Sequence, residues 1–237
     1  MNLILLHPSQ FINNQTAVLS REQALHVHRI LKSEVGDLLK VGQLNGAMGS
    51  ARIQTLEPEV VVTIVSLDQQ PPDTLPLILI LALPRPQMIK RILQTVACMG
   101  VEELHLLQTA RVEKSFWQSP SVTDAAIDKE LRLGLEQGMA TQLPRVVKHL
   151  RFRPFAEDQL PALAEGKQAY IAHPDVDTTL CPNLPSDRQS LLAIGPEGGF
   201  IDSEVSWFQA AGFQPFSLGP RILKVETAVT ALLAKLY

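Results

Sequence analysis

The apolar positions change rhythm partway along the chain. Up to about Leu67 they come in short β-branched runs at residues 17–19, 38–41, 51–54 and 60–65, parted by turn residues. That texture predicts strands. Asn45-Gly46, between the second and third runs, is a pair that suits a two-residue hairpin turn. One helix interrupts the strands. Ser20 suits an N-cap before residues 21–32, with Gln23 three residues on as in a capping box. A small barrel with one helix fits residues 1–70, and the polar, proline-rich residues 69–73 read as a linker.

From residue 73 onward the pattern predicts strands alternating with helices. Residues 77–83 form an apolar strand. Pro86 then suits the first turn of a helix and Gly100 its C′ position, with Ile89, Ile92 and Val96 at helical spacing between them. Residues 104–107 are the next strand, and residues 122–139 a longer helix with Ile127, Leu131 and Leu135 on one stripe. Residues 169–172 and 191–194 are strands. Asp202 or Ser203 can cap a helix that ends at Gly212, and residues 216–218 form a last short strand. The final helix carries Val225, Val229, Leu232 and Leu236 on a single seam. This alternation predicts an α/β fold over residues 73–237, with a mainly parallel sheet covered on both faces.

Composition narrows the function classes. The chain has 237 residues, 46% of them hydrophobic, enough for one large or two small cores. Its formal charge of -3 excludes a generic basic nucleic-acid binder, so RNA contact would rest on local patches. Cys98 and Cys181 form no CxxC, which argues against a disulfide framework or a zinc site and for a reducing, cytoplasmic setting. Cys98, on an apolar stretch of a predicted helix, is expected in the core. The amino end lacks the basic start of a signal peptide. The longest apolar run, residues 75–84, is too short to span a bilayer.

Two loops stand out. Gly195-Pro196-Glu197-Gly198-Gly199 follows an apolar strand, and Leu218-Gly219-Pro220-Arg221-Ile222-Leu223-Lys224 follows the next and leads into the last helix. Such strand-to-helix loops put backbone N–H groups at the carboxyl edge of a sheet, where ligands bind in open α/β folds. Each also has a plain structural explanation. The glycines can serve a tight turn alone, Glu226 can complement the helix dipole, and Thr227 can help cap the helix. Ala172-His173-Pro174 ends the preceding strand; its backbone could line the same pocket, and His173 is an acid or base there or part of a surface turn. Neither GxGxxG nor a Walker loop is present, so a dinucleotide or triphosphate cradle is unsupported. Arg21, His28, Arg29, Lys32 and Arg52 in the first domain, and Arg111 and Lys114 beside Phe116 and Trp117 in the second, have the charge and stacking character that RNA contact uses. They equally describe a solvated helix face and an anchored loop.

The motifs Ile194–Phe200 and Leu218–Ala228, with His26, Arg29, Leu31, Lys32, Gly36 and Asp37 spaced as HxxRxL(K/R)xxxGD, resemble the RsmE family of ribosomal RNA methyltransferases in the SPOUT (trefoil-knotted) superfamily. The resemblance covers nearly the whole chain. It implies an N-terminal PUA-like β-barrel and a knotted C-terminal α/β domain. It implies a homodimer with no metal and S-adenosyl-L-methionine held by the knot loops. For this chain those loops supply Ala172, Ile194, Gly195, Pro196, Glu197, Gly198, Gly199, Leu218, Gly219, Ile222, Leu223, Thr227 and Ala228. The implied reaction is methylation of uridine N3 in 16S ribosomal RNA of the small subunit. For that chemistry Arg221 or Arg111 could stabilise negative charge on the base, and Glu226 or Glu197 could accept the N3 proton. The chain departs from the family pattern at Thr95, Cys98, Ala140 and Gln142, where charged residues are common. Another RNA such as tRNA, and a non-catalytic ribosome assembly factor, are the competing readings.

Overall fold

The computed structural model describes residues 2–173, 181–184 and 188–237. The chain divides into two compact units, Met1–Asp73 with Leu131–Leu143, and Thr74–Glu130 with Pro144–Tyr237.

The first unit is built on a six-stranded sheet of β1 (Ile4–Leu6), β2 (Phe11–Asn13), β3 (Thr16–Val18), β4 (Leu38–Gln43), β5 (Met48–Thr55) and β6 (Val61–Gln69), in the order β1-β4-β5-β6-β3-β2. Alternate residues of five strands, Ile4, Leu6, Ala17, Leu39, Val41, Ala51, Ile53 and Val62, meet Val27 in one buried cluster, as a strongly curled sheet requires. The capping box forms as expected: Ser20 Oγ accepts from Gln23 N at 3.3 Å and Gln23 Oε1 from Ser20 N at 2.9 Å. Helix α1 (Arg21–His26) then widens to π-type turns over Val27–Leu31 and stops at Lys32, whose φ is 51°. The Asn45-Gly46 turn is longer than predicted. Four residues, 44–47, join β4 to β5, closed by Gln43 N donating to Ala47 O at 2.9 Å, and Asn45 takes the left-handed conformation at φ 58°. Thr141 Oγ1 donates to Gly46 O at 2.6 Å, and Asn45 Oδ1 accepts from Leu143 N at 2.8 Å, so a segment distant in sequence completes this turn.

The second unit holds a six-stranded, all-parallel sheet of β7 (Leu75–Ala82), β8 (Val101–Leu107), β9 (Arg145–His149), β10 (Gln168–Ala172), β11 (Ser190–Ile194) and β12 (Gln214–Phe216), ordered β12-β10-β11-β7-β8-β9. The central β7 and β11 are apolar at nearly every position, and residues 77–82 and 190–194 are buried, as parallel strands between helices must be. Helix α2 (Pro86–Cys98) begins at Pro86 and buries Ile89, Ile92, Leu93 and Val96. Gly100, just past its end, has φ 79°. Cys98 is exposed rather than in the core, because it falls opposite that buried stripe. Helix α3 (Asp124–Gly138) is followed by β9, an edge strand that the sequence pattern did not reveal, and by short helical pieces over α4 (Phe152–Pro154), Phe155–Gln159 and α5 (Leu160–Ala164). Helix α6 (Asp202–Ala210) starts from Ile201, not from an Asp202 or Ser203 cap. Helix α7 (Val225–Leu236) buries the predicted seam of Val225, Val229, Leu232 and Leu236. Its N-cap is Lys224 without a side-chain bond, so Thr227 does not cap it. Among the described residues, no helix is long and apolar enough to cross a membrane.

Two buried titratable clusters set how stability depends on pH. In the first unit Glu136 Oε1 accepts from Leu5 N at 3.4 Å, and burial pushes its carboxyl up from 4.5 to about 7, the Leu5 bond offsetting this in part. In the second unit His105 bridges Glu103 and His149 at 2.8 Å each. Burial, reinforced by His105, holds His149 down to about 4 from 6.5. Between about 4.5 and 7 the folded chain keeps a proton on Glu136 that the unfolded chain has lost, so this contribution is full below 4.5 and is lost as pH rises through 7. His149 runs the other way, its contribution full above 6.5 and lost as pH falls through 4. The difference between wild type and a Glu136→Gln variant isolates the first effect. Urea denaturation at pH 5 and pH 8 should show Glu136→Gln gaining on the order of 3 kcal/mol relative to wild type at the higher pH. An unchanged difference between the two pH values would contradict this assignment.

Candidate functional site

The parallel register of three neighbouring strands builds the site. Ala172 at the end of β10 pairs with Ile194 at the end of β11 and with Phe216 at the end of β12. Their carboxyl ends therefore lie side by side, and together with His173 and the loops after β11 and β12 they surround a cavity of about 120 Å³. His173 N donates to Phe216 O at 2.9 Å and extends the ladder by one residue into the cavity wall. Pro174 lies outside the described residues.

Ten of the residues expected to hold a cofactor line this cavity: Ala172, Ile194, Gly195, Pro196, Glu197, Gly199, Leu218, Ile222, Leu223 and Ala228. Gly198, Gly219 and Thr227 do not. Gly198 faces away from the cavity toward Arg111, whose Cδ lies 3.0 Å from where a Cβ would sit. Gly219 has φ 125° and open space around it, so its need for glycine is conformational. Thr227 is exposed on the first turns of α7. At Gly195 an added Cβ would meet the ring and backbone N of Phe200 at 3.1 Å, a close approach that the strand-to-loop corner requires. Gly199 has φ 75°, and its N–H donates to Pro196 O at 2.8 Å to close the turn.

Sequence reasoning did not pick out Phe216, Ser217, Val225 or Leu232, which also line the cavity. Phe216 was visible as a strand residue, and Val225 and Leu232 as parts of the α7 seam. Their second role appears once β12 is registered against β10.

The candidate catalytic residues separate. Arg221 lines the cavity and is exposed. Glu226, in the first turn of α7, is outside the lining. Arg111 is exposed on the loop after β8 and donates from Nη1 to Gly198 O, bracing the glycine loop from its outer side. Glu197, by contrast, lines the cavity, and its Oε1 accepts from Arg85 N at 3.3 Å and lies 3.8 Å from Arg85 Nε.

The candidate RNA contacts fall in both units. In the first, Arg21, Arg29, Lys32 and Arg52 are exposed and His28 is half-buried; Arg52 Nη1 donates to Gly36 O at 2.7 Å. In the second, Lys114 joins Arg111 on the exposed loop after β8. Trp117 on this loop anchors it, its Nε1 donating to Gln108 Oε1 at 2.7 Å. Among the described residues, no group of three or more His, Cys, Asp or Glu is placed to hold a metal ion.

The cavity walls suit a ligand with a flat apolar part and polar edges. Leu218, Ile222 and Leu223 are 38%, 85% and 36% exposed, an uncovered apolar rim at the mouth of a cavity whose floor is strand ends and peptide groups.

Known proteins share this architecture. The profile of a family described as RNA methyltransferase domain matches residues 71–237. A ribosomal RNA small subunit methyltransferase E of Treponema pallidum is 30% identical over 99% of this chain and 90% of its own length. One of the same name from Synechocystis is 29% identical over 98% of this chain and 76% of its own. A Legionella pneumophila methyltransferase solved with the bound cofactor SAM superposes with a TM-score of 0.76 at 25% identity, over 100% of this chain and 97% of that one. The ribosomal RNA small subunit methyltransferase E of Neisseria gonorrhoeae has the same fold, at a TM-score of 0.77 and 21% identity over 99% and 95% of the two chains. With a domain profile across most of its length and a near-full-length relative at 30% identity, this chain belongs to the ribosomal RNA small subunit methyltransferase E family.

Proposed function

We propose that the cavity at the ends of β10, β11 and β12 holds S-adenosyl-L-methionine and that the protein transfers its methyl group to N3 of a uridine in 16S ribosomal RNA. The observation that supports this reading is the single cavity formed by the two Gly-Pro loops, in a chain whose full-length relatives carry the small-subunit methyltransferase name. The apolar rim of Leu218, Ile222 and Leu223 fits an adenine face, and the peptide groups of Ile194–Gly199 fit polar edges. When bound, the donor supplies an activated methyl on a sulfonium. The chain's task is to orient it and to exclude water.

Uridine N3 carries a proton at neutral pH, so negative charge develops on the base as that proton leaves, and the incoming methyl then neutralises it. Arg221, exposed in the cavity wall, is the cation suited to stabilise that charge as it spreads onto the carbonyl oxygens. Glu197 is favoured over Glu226 as proton acceptor because it lines the cavity and Glu226 does not. Arg111 then acts on the glycine loop rather than on the reacting base. Arg21, His28, Arg29, Lys32, Arg52 and Lys114 are proposed to contact the RNA backbone. A homodimer in the cytoplasm, engaging the small subunit, completes the reading.

Labelled methyl transfer to small ribosomal subunits, with naked RNA as control and mass analysis of the nucleosides, tests the substrate. N3-methyluridine in 16S RNA is expected; label in tRNA, or none, would overturn the assignment. Donor binding tests the cavity. Gly195→Val drives side-chain atoms into Phe200 and should weaken S-adenosylmethionine binding by at least about tenfold in isothermal titration, whereas normal binding would exclude this loop. Arg221→Ala should lower kcat by about a hundredfold with little change in donor Kd, and equal turnover would remove Arg221 from the reaction.

A further inference from the structure

Glu204 carries a carboxylate at 3% exposure, in the first turn of α6 and outside the cavity lining. A carboxylate withdrawn from water needs its oxygens satisfied. Its Oε2 accepts from Ile201 N at 3.1 Å, which is a local helix-start contact. Its Oε1 has a different partner: it accepts from Ala110 N at 2.7 Å, across to the loop after β8. Capping α6 does not call for that second bond, and its short length marks a charge-assisted contact.

Ala110 immediately precedes Arg111. Arg111 Nη1 donates to Gly198 O, and its stem packs where a Gly198 Cβ would stand. Gly198 lies inside the turn closed by Gly199 N donating to Pro196 O, and Gly195, Pro196, Glu197 and Gly199 of that turn form one wall of the cavity. The contacts thus run from Glu204 through Ala110 and Arg111 to the glycine loop. Arg111 is a long, exposed side chain, and its reach to Gly198 depends on where its own backbone is held.

We propose that Glu204 is a positioning residue for the donor loop: by fixing the Ala110 N–H it places Arg111 to brace the Gly198 carbonyl, and so sets the cavity wall. It acts through Arg111 and touches neither donor nor base. This rests on the reading of the cavity as the donor site.

A double-mutant cycle on the full-length chain tests it, with S-adenosylmethionine Kd by isothermal titration and Tm measured for wild type, Glu204→Ala, Arg111→Ala and the double variant. Each single change is expected to weaken donor binding by about tenfold, and the double variant to bind within about twofold of the weaker single one. Donor affinities that multiply in the double variant would overturn the proposal. So would a Glu204→Ala protein of lowered Tm and unaltered Kd, the result of helix capping alone. If Glu204→Ala does not fold, Glu204→Leu, which fills similar space with neither acceptor, replaces it in the same cycle with the same criteria. Ala228→Trp, a bulky change at a cavity-lining position on α7, separates the two levels. Donor binding that survives Ala228→Trp sinks the site and the positioning role together; binding lost there, with multiplying effects at Glu204 and Arg111, sinks the positioning role alone.

Discussion

Three parallel strands that stop at one level leave their last peptide groups pointing into the same space, and everything proposed for this protein depends on that alignment. Ala172, Ile194 and Phe216 are register partners through β10, so the chain leaves β11 and β12 on either side of the end of β10. The strands are held there by burial on both faces. β7 and β11 are apolar at nearly every position, and α7 closes the unit with a buried seam whose Val225 and Leu232 also reach the cavity. The residues that fold this unit and those that shape its cavity are therefore in part the same residues.

The two Gly-Pro loops reach the cavity by different physical routes. The first is tight: Gly195 is hemmed in by Phe200, and Gly199 closes a hydrogen-bonded turn that Arg111 braces from outside. The second is open, with Gly219 in unobstructed space and three apolar side chains uncovered at the rim. A preset wall facing an uncovered apolar rim suits a ligand that docks on one side and is covered from the other, with part of the hydrophobic gain realised on binding.

Much of this was legible in the residues themselves. The Ser20–Gln23 capping box, Pro86 and Gly100 around α2, and the α7 seam are local signals, and local signals survive in sequence because they act over a few residues. The glycine loops announced a site through their place after apolar strands, and the family resemblance rested on the same residues. What was hidden is what long-range pairing decides. β9 is an edge strand whose half-exposed residues carry little apolar pattern, so it shows itself through pairing with β8. The turn at Asn45 lengthens to four residues, with Thr141 and Leu143 bonding into it from a distant segment. Cys98 is apolar in type but faces outward, on the side of α2 opposite the stripe of Ile89, Ile92 and Val96. Glu204 drew no notice in the sequence, because its bond to Ala110 spans 94 positions. Arg111 and Glu226 looked catalytic by residue type, yet neither lines the cavity that Arg221 and Glu197 share.

The most direct test of the central claim is a crystal structure of the protein with S-adenosylmethionine. The account predicts density for the donor between residues 195–199 and 218–223, resting on the ends of β10, β11 and β12. Density elsewhere with that space empty, or the two loops standing apart in the crystal, would contradict it.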